Sequence, residues 1–387
     1  PILGGSSYTF GLILAVALVG VGIGIGGGIS ARTRTPATLR AFAATCSLEA
    51  LFIVIPYALG DRVALTAGLL RSFCHVSFLS GVAVWTVIAG FVVLPAAIVS
   101  GAQFPLVIGL YGRGSKKVGR DVGAAYLANT LGSIGGSLAG GFGLLPLLGA
   151  VGCWRLIVVS LAIGAVVALA LDLRTSQGSP ERPARRRLAF VRGLVPVVAA
   201  LLLSRAEGPS PVWRHSGIGA GRADARLGQG DPNTLDTFVH AFRRSIRWEE
   251  DGVESSVALS HNDGFMFVVN GKSDGHAIID APTQVMSGLL PALLHPEPKT
   301  SLVVGLGTGS TAGWLGKIRS MERVDVVELE PAVLRVARDC APVNENVLDN
   351  PRVHTQLGDA REVLRTTPRR YDIIFSEPSN PYRAGIS

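Results

Sequence analysis

The sequence predicts an α-helical transmembrane bundle, followed by an α/β domain that opens with a small β-hairpin subdomain. Three observations lead to this prediction: few charged residues, an uneven distribution of charge, and polar motifs that follow apolar runs near the C-terminus. Of the 387 residues, 48% are hydrophobic and 17% are charged, whereas soluble domains carry about 25% charged residues. We therefore do not expect a purely cytosolic enzyme.

The charge distribution divides the chain into the same two parts. We expect a multi-span region at 1–204, a linker rich in Gly, Pro and Arg at 205–240, a β-hairpin subdomain with a lid helix at 241–298, and a nucleoside-binding domain at 299–387. The first region has 16 basic and 5 acidic residues, a net charge of +11, against +8 for the whole chain. A nucleic-acid-binding protein carries its positive excess on a soluble face, so no nucleic-acid partner is expected.

Membrane spans need about 20 mostly apolar residues. Candidate spans are 8–29, 41–60, 73–100, 122–146 and 152–171. The loops at 31–40, 111–120 and 174–187 are basic. Because two spans separate each basic loop from the next, all three can face the cytoplasm together. We therefore expect a multi-pass protein of the cell inner membrane, with the lipid bilayer as a partner.

The segment at 188–204 decides on which side of the membrane the second half lies. Arg192 and Pro196 interrupt its apolar run. If the segment lies in the interface or re-enters, the soluble domain stays in the cytoplasm, which is the placement we favour. If it spans, the soluble domain lies outside the cell.

Two sets of glycines recur at every fourth position of the predicted spans: Gly20, Gly24 and Gly28, and Gly132, Gly136 and Gly140. Such a stripe lets two helix backbones approach closely in lipid, so close packing is the prediction for both, with a substrate path as the alternative. Glu49 lies in the middle of a span, where an ionisable residue is a functional candidate. A carboxyl group that is bonded to a neighbouring helix or kept protonated is the alternative.

The region before the α/β domain has strand and turn signals. Strand-like runs at 253–260 and 265–270 flank Asp263-Gly264, and Asn270-Gly271 forms a second turn signal. The segment at 283–294 is predicted to be a helix that closes over a site.

Four apolar runs then each end in a polar or glycine-rich motif. The pairs are 301–305 with Gly305-Leu306-Gly307-Thr308-Gly309, 323–329 with Glu328, 352–357 with Gly358-Asp359-Ala360, and 371–376 with Glu377-Pro378-Ser379-Asn380-Pro381. Parallel sheets bind ligands at the carboxyl ends of their strands, and glycines let the backbone approach a nucleoside. A carboxylate at Glu328 can accept both ribose hydroxyls, Asp359 can accept from an adenine amino group, and Glu377 faces the reacting centre.

The glycine motif favours one nucleoside over a dinucleotide. Ser310 stands where a dinucleotide fingerprint has its third glycine. With Glu328, this predicts a Rossmann-like domain that binds a group of the S-adenosylmethionine type. An NAD site and a relic without ligand are the alternatives.

Residues 248–387 resemble the spermidine synthase (polyamine aminopropyltransferase) family, and the whole chain resembles bacterial membrane proteins in which several spans precede such a domain. The resemblance rests on Asn270-Gly271, Gln284, Met286, VVGLGTGS, VELEP, DNPRV, GDA and YDIIFSEPSNP. It implies a methyltransferase fold with seven sheet strands. Because the chain ends after the fourth, we expect the C-terminus to be truncated, the domain to be incomplete and the chain alone to be poorly active.

The resemblance also implies a reaction and its residues. The aminopropyl group of decarboxylated S-adenosylmethionine passes to a polyamine such as putrescine, and methylthioadenosine leaves. The cofactor-binding residues would be Gly305, Gly307, Thr308, Gly309, Glu328, Asp359 and Ala360. Glu377 would be catalytic, in the place of an aspartate, while Gln284 and Asn380 would bind substrate. A carboxylate near the amine is chemically needed, because the attacking nitrogen loses a proton.

Three positions depart from the family pattern. Thr308 replaces an aspartate that pairs with the ammonium of the cofactor, Thr283 replaces a tyrosine, and Asn380 replaces a second aspartate. These departures keep two alternatives open: a methyltransferase that uses intact S-adenosylmethionine, and a transporter or sensor that binds a nucleoside or polyamine without turnover. No metal site is expected, and a homo-oligomer is left open.

Overall fold

The computed structural model describes residues 2–3, 7–34, 36–74, 76–111, 118–175, 183–218, 232–252, 255–261 and 264–377. The described chain forms two compact units. One is the helical unit, residues 7–213. The other, the sheet unit, contains residues 214–218 and 232–377. The change from one to the other falls inside the segment predicted to be a linker.

The helical unit is built from long apolar helices. Its described helices are α1 (Ser7–Arg34), α2 (Leu39–Leu59), α3 (Asp61–Cys74), α4 (Phe78–Tyr111), α5 (Val118–Ala139), α6 (Leu145–Thr175) and α7 (Pro183–Leu203). Four helical stretches in the described residues are long and apolar enough to cross a membrane: Tyr8–Ala31, Leu39–Leu59, Phe78–Tyr111 and Gly119–Thr175.

The last of these stretches contains both spans predicted at 122–146 and 152–171. A π-helical turn at Gly140–Leu144 joins α5 to the first residues of α6. Gly149, with φ 65° and ψ 172°, then breaks the helical backbone between the two predicted spans. The glycine-rich sequence explains both features, because glycine tolerates backbone angles that other residues avoid.

The two glycine stripes have different surroundings. A Cβ added at Gly20 would lie 2.7 Å from the Cβ of Ala97, and one at Gly24 would overlap the carbonyl oxygen of Ile98. The first stripe therefore brings α1 against α4, as predicted. No described atom lies within 4 Å of a Cβ added at Gly132, Gly136 or Gly140, so close packing of the second stripe is wrong for the described chain.

Helix α7, which covers the ambiguous segment at 188–204, packs into the helical unit. Its Val197 is buried with Cys46 of α2 and with Ala162 of α6. Ala200 of α7 is buried in a second cluster with Tyr57. Its apolar part, Leu188–Leu203, is shorter than the four long stretches, so the side of the membrane stays a prediction.

Two short helices follow: α8 (Pro211–His215), which contains the boundary between the two units, and α9 (Pro232–Ser245) of the sheet unit. Part of the predicted linker is therefore helical. Phe238 and Phe242 of α9 stack with ring centroids 6.1 Å apart. Because residues four positions apart share one face of a helix, this pair supports a helix that the Gly, Pro and Arg content of the segment does not indicate.

An antiparallel sheet replaces the predicted β-hairpin. Its strands are β1 (Ile246–Asp251), β2 (Ser256–Ser260), β3 (Met266–Val269) and β4 (Lys272–His276), in the order β1-β2-β3-β4. The predicted pair corresponds to β2 and β3. Strands β1 and β4 were missed because their sequences, IRWEED and KSDGH, are polar. Asn270 and Gly271 connect β3 to β4 with φ 49° and 79°, as two-residue hairpin turns require.

Helix α10 (Ala281–Leu294) leads into the predicted α/β alternation. The elements are β5 (Thr300–Val304), α11 (Ser310–Leu315), β6 (Arg323–Glu328), α12 (Pro331–Asp339), β7 (Val353–Leu357), α13 (Ala360–Thr366) and β8 (Ile373–Ser376). The four strands are parallel, in the order β7-β6-β5-β8. The strand order reverses between β5 and β8, which is where open parallel sheets bind ligands. The α/β part of the predicted fold class is confirmed.

Two apolar clusters hold the sheet unit together. Val303, Val324 and Val326 are buried in the core of the parallel sheet. Ala332 and Val336 of α12 pack against the antiparallel sheet. The antiparallel sheet is thereby fixed to the helix that follows β6, close to the ends of the parallel strands.

Candidate active site

The loop after β5 has a backbone that favours glycine. Gly305, Gly307 and Gly309 have φ of 91°, 54° and 84°, values that other residues rarely adopt. A Cβ at Gly305 would lie 3.1 Å from the carbonyl oxygen of Glu377, and one at Gly307 would lie 3.0 Å from its Oε2. The glycine loop therefore lies directly beside the end of β8.

Glu328, at the end of β6, supports this loop. Its buried carboxylate accepts the N–H of Leu306 at 2.8 Å and the N–H of Glu330 at 2.9 Å. Burial raises the pKa of Glu328, while these backbone donors act in the opposite direction. The predicted contact of Glu328 with ribose hydroxyls stays a prediction.

Glu377, at the end of β8, is the most strongly perturbed carboxyl group of the site. The hydroxyl of Thr311 hydrogen-bonds to its Oε1. Burial raises the pKa of Glu377 to about 7; the Thr311 hydrogen bond lowers it, and the charge of Glu328 raises it further. A carboxyl group with a pKa near neutrality can both take up and release a proton at physiological pH.

Helix α10 brings Gln284 to the same place. The Thr308 hydroxyl donates to Oε1 of Gln284 at 2.5 Å, and its Oγ1 also lies 3.1 Å from Oγ of Ser310. The Thr311 hydroxyl is 2.9 Å from the backbone oxygen of Gln284. One hydrogen-bonded network therefore joins the helix predicted to close over the site, the glycine loop and Glu377.

Asp359 and Ala360 lie at the end of β7, where α13 begins. Oδ1 of Asp359 accepts the N–H of Arg361 at 2.8 Å, which caps the helix. Its Oδ2 lies 2.7 Å from Nη2 of Arg361. Hydrogen bonds to the Arg361 side chain and backbone lower the pKa of Asp359. The observed partners are local, and the contact of Asp359 with an adenine amino group stays a prediction.

Asn380 and the rest of the motif after Glu377 lie outside the described residues, so the predicted role of Asn380 in substrate binding stays a prediction. The other predicted site residues belong to three strand ends, β5, β6 and β8, to α10, and to the start of α13. Within the described residues, no group of three or more His, Cys, Asp or Glu side chains could hold a metal ion.

Two residues that support the site were missed by the sequence analysis. Asn344 is fully buried, and its Nδ2 donates to the backbone oxygens of Thr308 at 2.7 Å and Ala337 at 2.6 Å. Thr311 contacts both Gln284 and Glu377. Asn344 lies in a segment without a recognisable motif. Thr311 stands two residues after the glycine loop, and this position is a signal for a site residue.

The C-terminal part of the chain is similar to known proteins. Residues 282–384 match the family model of the spermine/spermidine synthase domain. The polyamine aminopropyltransferase of Clostridium perfringens (strain 13 / Type A) is 32% identical over 96 residues, which are 25% of this chain and 34% of that protein. That of Nitrosomonas europaea is 36% identical over 99 residues, 25% of this chain and 30% of that protein.

A longer match covers 149 residues of the polyamine aminopropyltransferase of Streptococcus pneumoniae (strain ATCC BAA-255 / R6), at 30% identity, 38% of this chain and 51% of that protein. The chain thus spans about a third to a half of the length of these curated relatives.

Two solved structures are also similar. A spermidine synthase in complex with the transition state analogue AdoDATO matches with a TM-score of 0.34 and 21% identity, over 36% of this chain and 48% of that one. The spermidine synthase of Thermotoga maritima matches with a TM-score of 0.33 and 21% identity, over 34% and 48%. The family-model match and the curated relatives confirm the resemblance to the spermidine synthase family for residues 282–384.

Proposed function

We propose that this protein is a membrane-anchored aminopropyltransferase, which transfers an aminopropyl group from decarboxylated S-adenosylmethionine to a polyamine such as putrescine. The observation that carries the proposal is the position of Glu377. This half-buried carboxyl group lies beside the glycine loop, contacts Thr311, and has a pKa raised to about 7. The similarity of residues 282–384 to polyamine aminopropyltransferases supports the same reaction.

The residues at the strand ends fit an adenosyl group. The glycine loop exposes backbone without side chains at the point where the strand order reverses, and Glu328 presents a carboxylate at the adjacent strand end. Gly305, Gly307, Gly309 and Glu328 would hold the nucleoside in this proposal. The donor supplies an aminopropyl carbon that is activated by an adjoining sulfonium.

Glu377 would act as the general base. The incoming amine must lose a proton as its nitrogen bonds to carbon, and a carboxylate with a pKa near 7 accepts that proton at neutral pH. As the N–C bond forms, the C–S bond breaks and methylthioadenosine leaves with the electron pair on its sulfur. Thr311 holds Oε1 of Glu377, so it would orient the base toward the amine.

Anchoring in the inner membrane forms the second part of the proposal. Four helical stretches of the described chain are long and apolar enough to cross a membrane. The basic loops at 31–40, 111–120 and 174–187 support a common cytoplasmic side for these loops. The sheet unit would face the cytoplasm, where its small-molecule substrates are made.

Methyl transfer from intact S-adenosylmethionine is the second candidate function, and Thr308 favours it. Its hydroxyl is buried and donates to Gln284, so this position supplies no negative charge to pair with an ammonium group. An acid at the same position would repel the carboxylate that only the intact molecule carries. Because Thr308 is uncharged, the site lacks one interaction that would favour decarboxylated over intact S-adenosylmethionine.

Calorimetric titration of the full-length protein in detergent tests the proposal. We expect decarboxylated S-adenosylmethionine to bind more tightly than intact S-adenosylmethionine, and Glu328→Ala to weaken binding of both. Glu322→Ala is the matched control, because Glu322 is exposed one residue before β6. Preference for the intact molecule, together with methyl transfer to an amine, would establish the second function instead. Binding of either molecule without any transfer to putrescine would indicate a sensor or transporter.

A further inference from the structure

The helical unit contains a cavity of about 630 Å³, widely open on one side, that the proposed reaction does not use. Residues from α1, α2, α4 and α6 line it, and most of them are apolar. The residues that matter here are Val21, Glu49, Val93, Ser100, Cys153 and Trp154. An ionisable carboxyl group therefore faces a mostly apolar space among the long helices.

Two neutral donors hold the Glu49 side chain. Nε2 of Gln103 lies 2.6 Å from its Oε2, and the Ser100 side chain also hydrogen-bonds to it. Amide and hydroxyl donors stabilise a carboxylate, but they supply no opposite charge. Burying a charge that lacks a counter-charge is costly, so the cluster of Glu49, Ser100 and Gln103 is suited to a positively charged partner.

The protein itself does not provide that partner among the described residues that line the cavity, which include no Lys, Arg or His. Helix α4 has no charged residue. On α6, Arg155 donates to Oη of Tyr57 at 2.6 Å and to the oxygen of Ala206 at 3.1 Å. Asp172 of α6 is paired with Arg40 of α2 at 2.6 Å.

The walls of the cavity suit the apolar part of a positively charged molecule. Val21 and Val93 present aliphatic surface, and Trp154 presents an indole. Nε1 of Trp154 donates to the oxygen of Ile53 at 2.9 Å, and its ring packs edge-on against Tyr57 with centroids 5.6 Å apart. A fixed indole ring offers both apolar contact and attraction for a cation.

We propose that this cavity binds an organic cation, with its ammonium group paired with Glu49 and its apolar body against Trp154 and the valines. The occupant is an alkylammonium or similar amine. The site is separate from the nucleoside and amine site proposed in the sheet unit. It gives Glu49 a binding role in addition to its hydrogen bond with Gln103 of α4.

Cys153 provides a local test, because its half-buried thiol lines the cavity and takes part in no disulfide. The rate at which N-ethylmaleimide modifies Cys153 would be measured in the full-length protein in detergent, with increasing n-hexylammonium. Cys74 of α3 is the internal reference. We expect saturable protection of Cys153 alone, and none from the uncharged n-hexanol at equal concentration.

Charge variants then separate ion pairing from apolar binding. We expect Glu49→Gln to raise the half-protecting concentration of hexylammonium about tenfold or more, the usual loss for a hydrogen bond to a charged group. Asp121→Asn removes one negative charge from α5, outside the cavity, and should leave protection unchanged. Ser100→Ala keeps the carboxylate and should weaken protection less than Glu49→Gln does, which supplies a second variant if the first misfolds. Equal protection by hexanol, no protection at all, or protection insensitive to both variants would overturn the proposal.

Discussion

Glycines recur at regular spacing in the helical unit and in the loop after β5, and their neighbours differ. In the first helical stripe, Gly20 and Gly24 face the backbone and small side chains of α4. In the loop, Gly305 and Gly307 face Glu377. The absence of a side chain therefore serves helix contact in one unit and access to a titratable carboxyl group in the other.

The prediction with the largest expected effect concerns Glu377, the carboxyl group beside the glycine loop. Glu377→Gln keeps the size of the side chain and removes the base. We expect turnover of putrescine to fall by roughly 10²–10⁴-fold, the usual contribution of a general base, while binding of decarboxylated S-adenosylmethionine changes little. Steady-state rates and calorimetry on the full-length protein check both points. A variant with near-normal turnover would remove Glu377 from the mechanism.

The next effect concerns packing in the helical unit. A Cβ at Gly24 would overlap the carbonyl oxygen of Ile98, so Gly24→Ala forces α1 and α4 apart. We expect a loss of about 1–3 kcal/mol in the free energy of unfolding, as for other overpacked sites. Gly136→Ala is the matched control, because no described atom lies within 4 Å of the added Cβ. Denaturation in detergent measures both, and equal losses would contradict the distinction.

Gly307→Ala is expected to affect the site more than overall stability. Its φ of 54° and the 3.0 Å approach to Oε2 of Glu377 both disfavour a methyl group. We expect a cost of about 1–2 kcal/mol for the left-handed backbone and weaker nucleoside binding. Calorimetry measures the loss of nucleoside affinity, and thermal denaturation of the same sample measures the loss of stability. Unchanged affinity would show that the nucleoside does not depend on this loop.

The last prediction is a dependence on pH. Because the pKa of Glu377 is raised from 4.5 to about 7, the folded protein keeps a proton that the unfolded chain releases between these values. Stability is therefore expected to fall as pH rises through this window, whereas kcat/KM should rise as the base ionises. Thermal midpoints and rates measured from pH 5 to about 8, with Glu377→Gln as reference, check both directions. Identical pH profiles for the two proteins would contradict the shift.

Much of the sheet unit was predictable, because strand-end motifs depend on local sequence. Apolar runs that end in Gly305–Gly309, Glu328 or Glu377 predict parallel strands and a shared edge, and the structure places these ends together. The polar strands β1 and β4 were not predictable in this way. Their backbone pairs with β2 and β3, and such pairing needs no apolar pattern in the strand itself.

The glycine stripes show where local pattern stops being sufficient. Gly20 and Gly132 begin stripes with the same spacing, yet only the first meets another helix among the described residues. The spacing of the glycines shows that the residues on one face of a helix are small. The path of the rest of the chain decides which element lies opposite that face.

The sequence by itself determined the apolar helices, the α/β alternation and the strand ends, because each depends on residues close together in the chain. Only the tertiary structure decided that Gln103 meets Glu49, that Asn344 holds the loop at Thr308, and that Thr311 joins Gln284 to Glu377. These contacts join side chains from different elements. They form only when helices and strands pack, and no local pattern encodes which polar group will then lie within hydrogen-bonding distance.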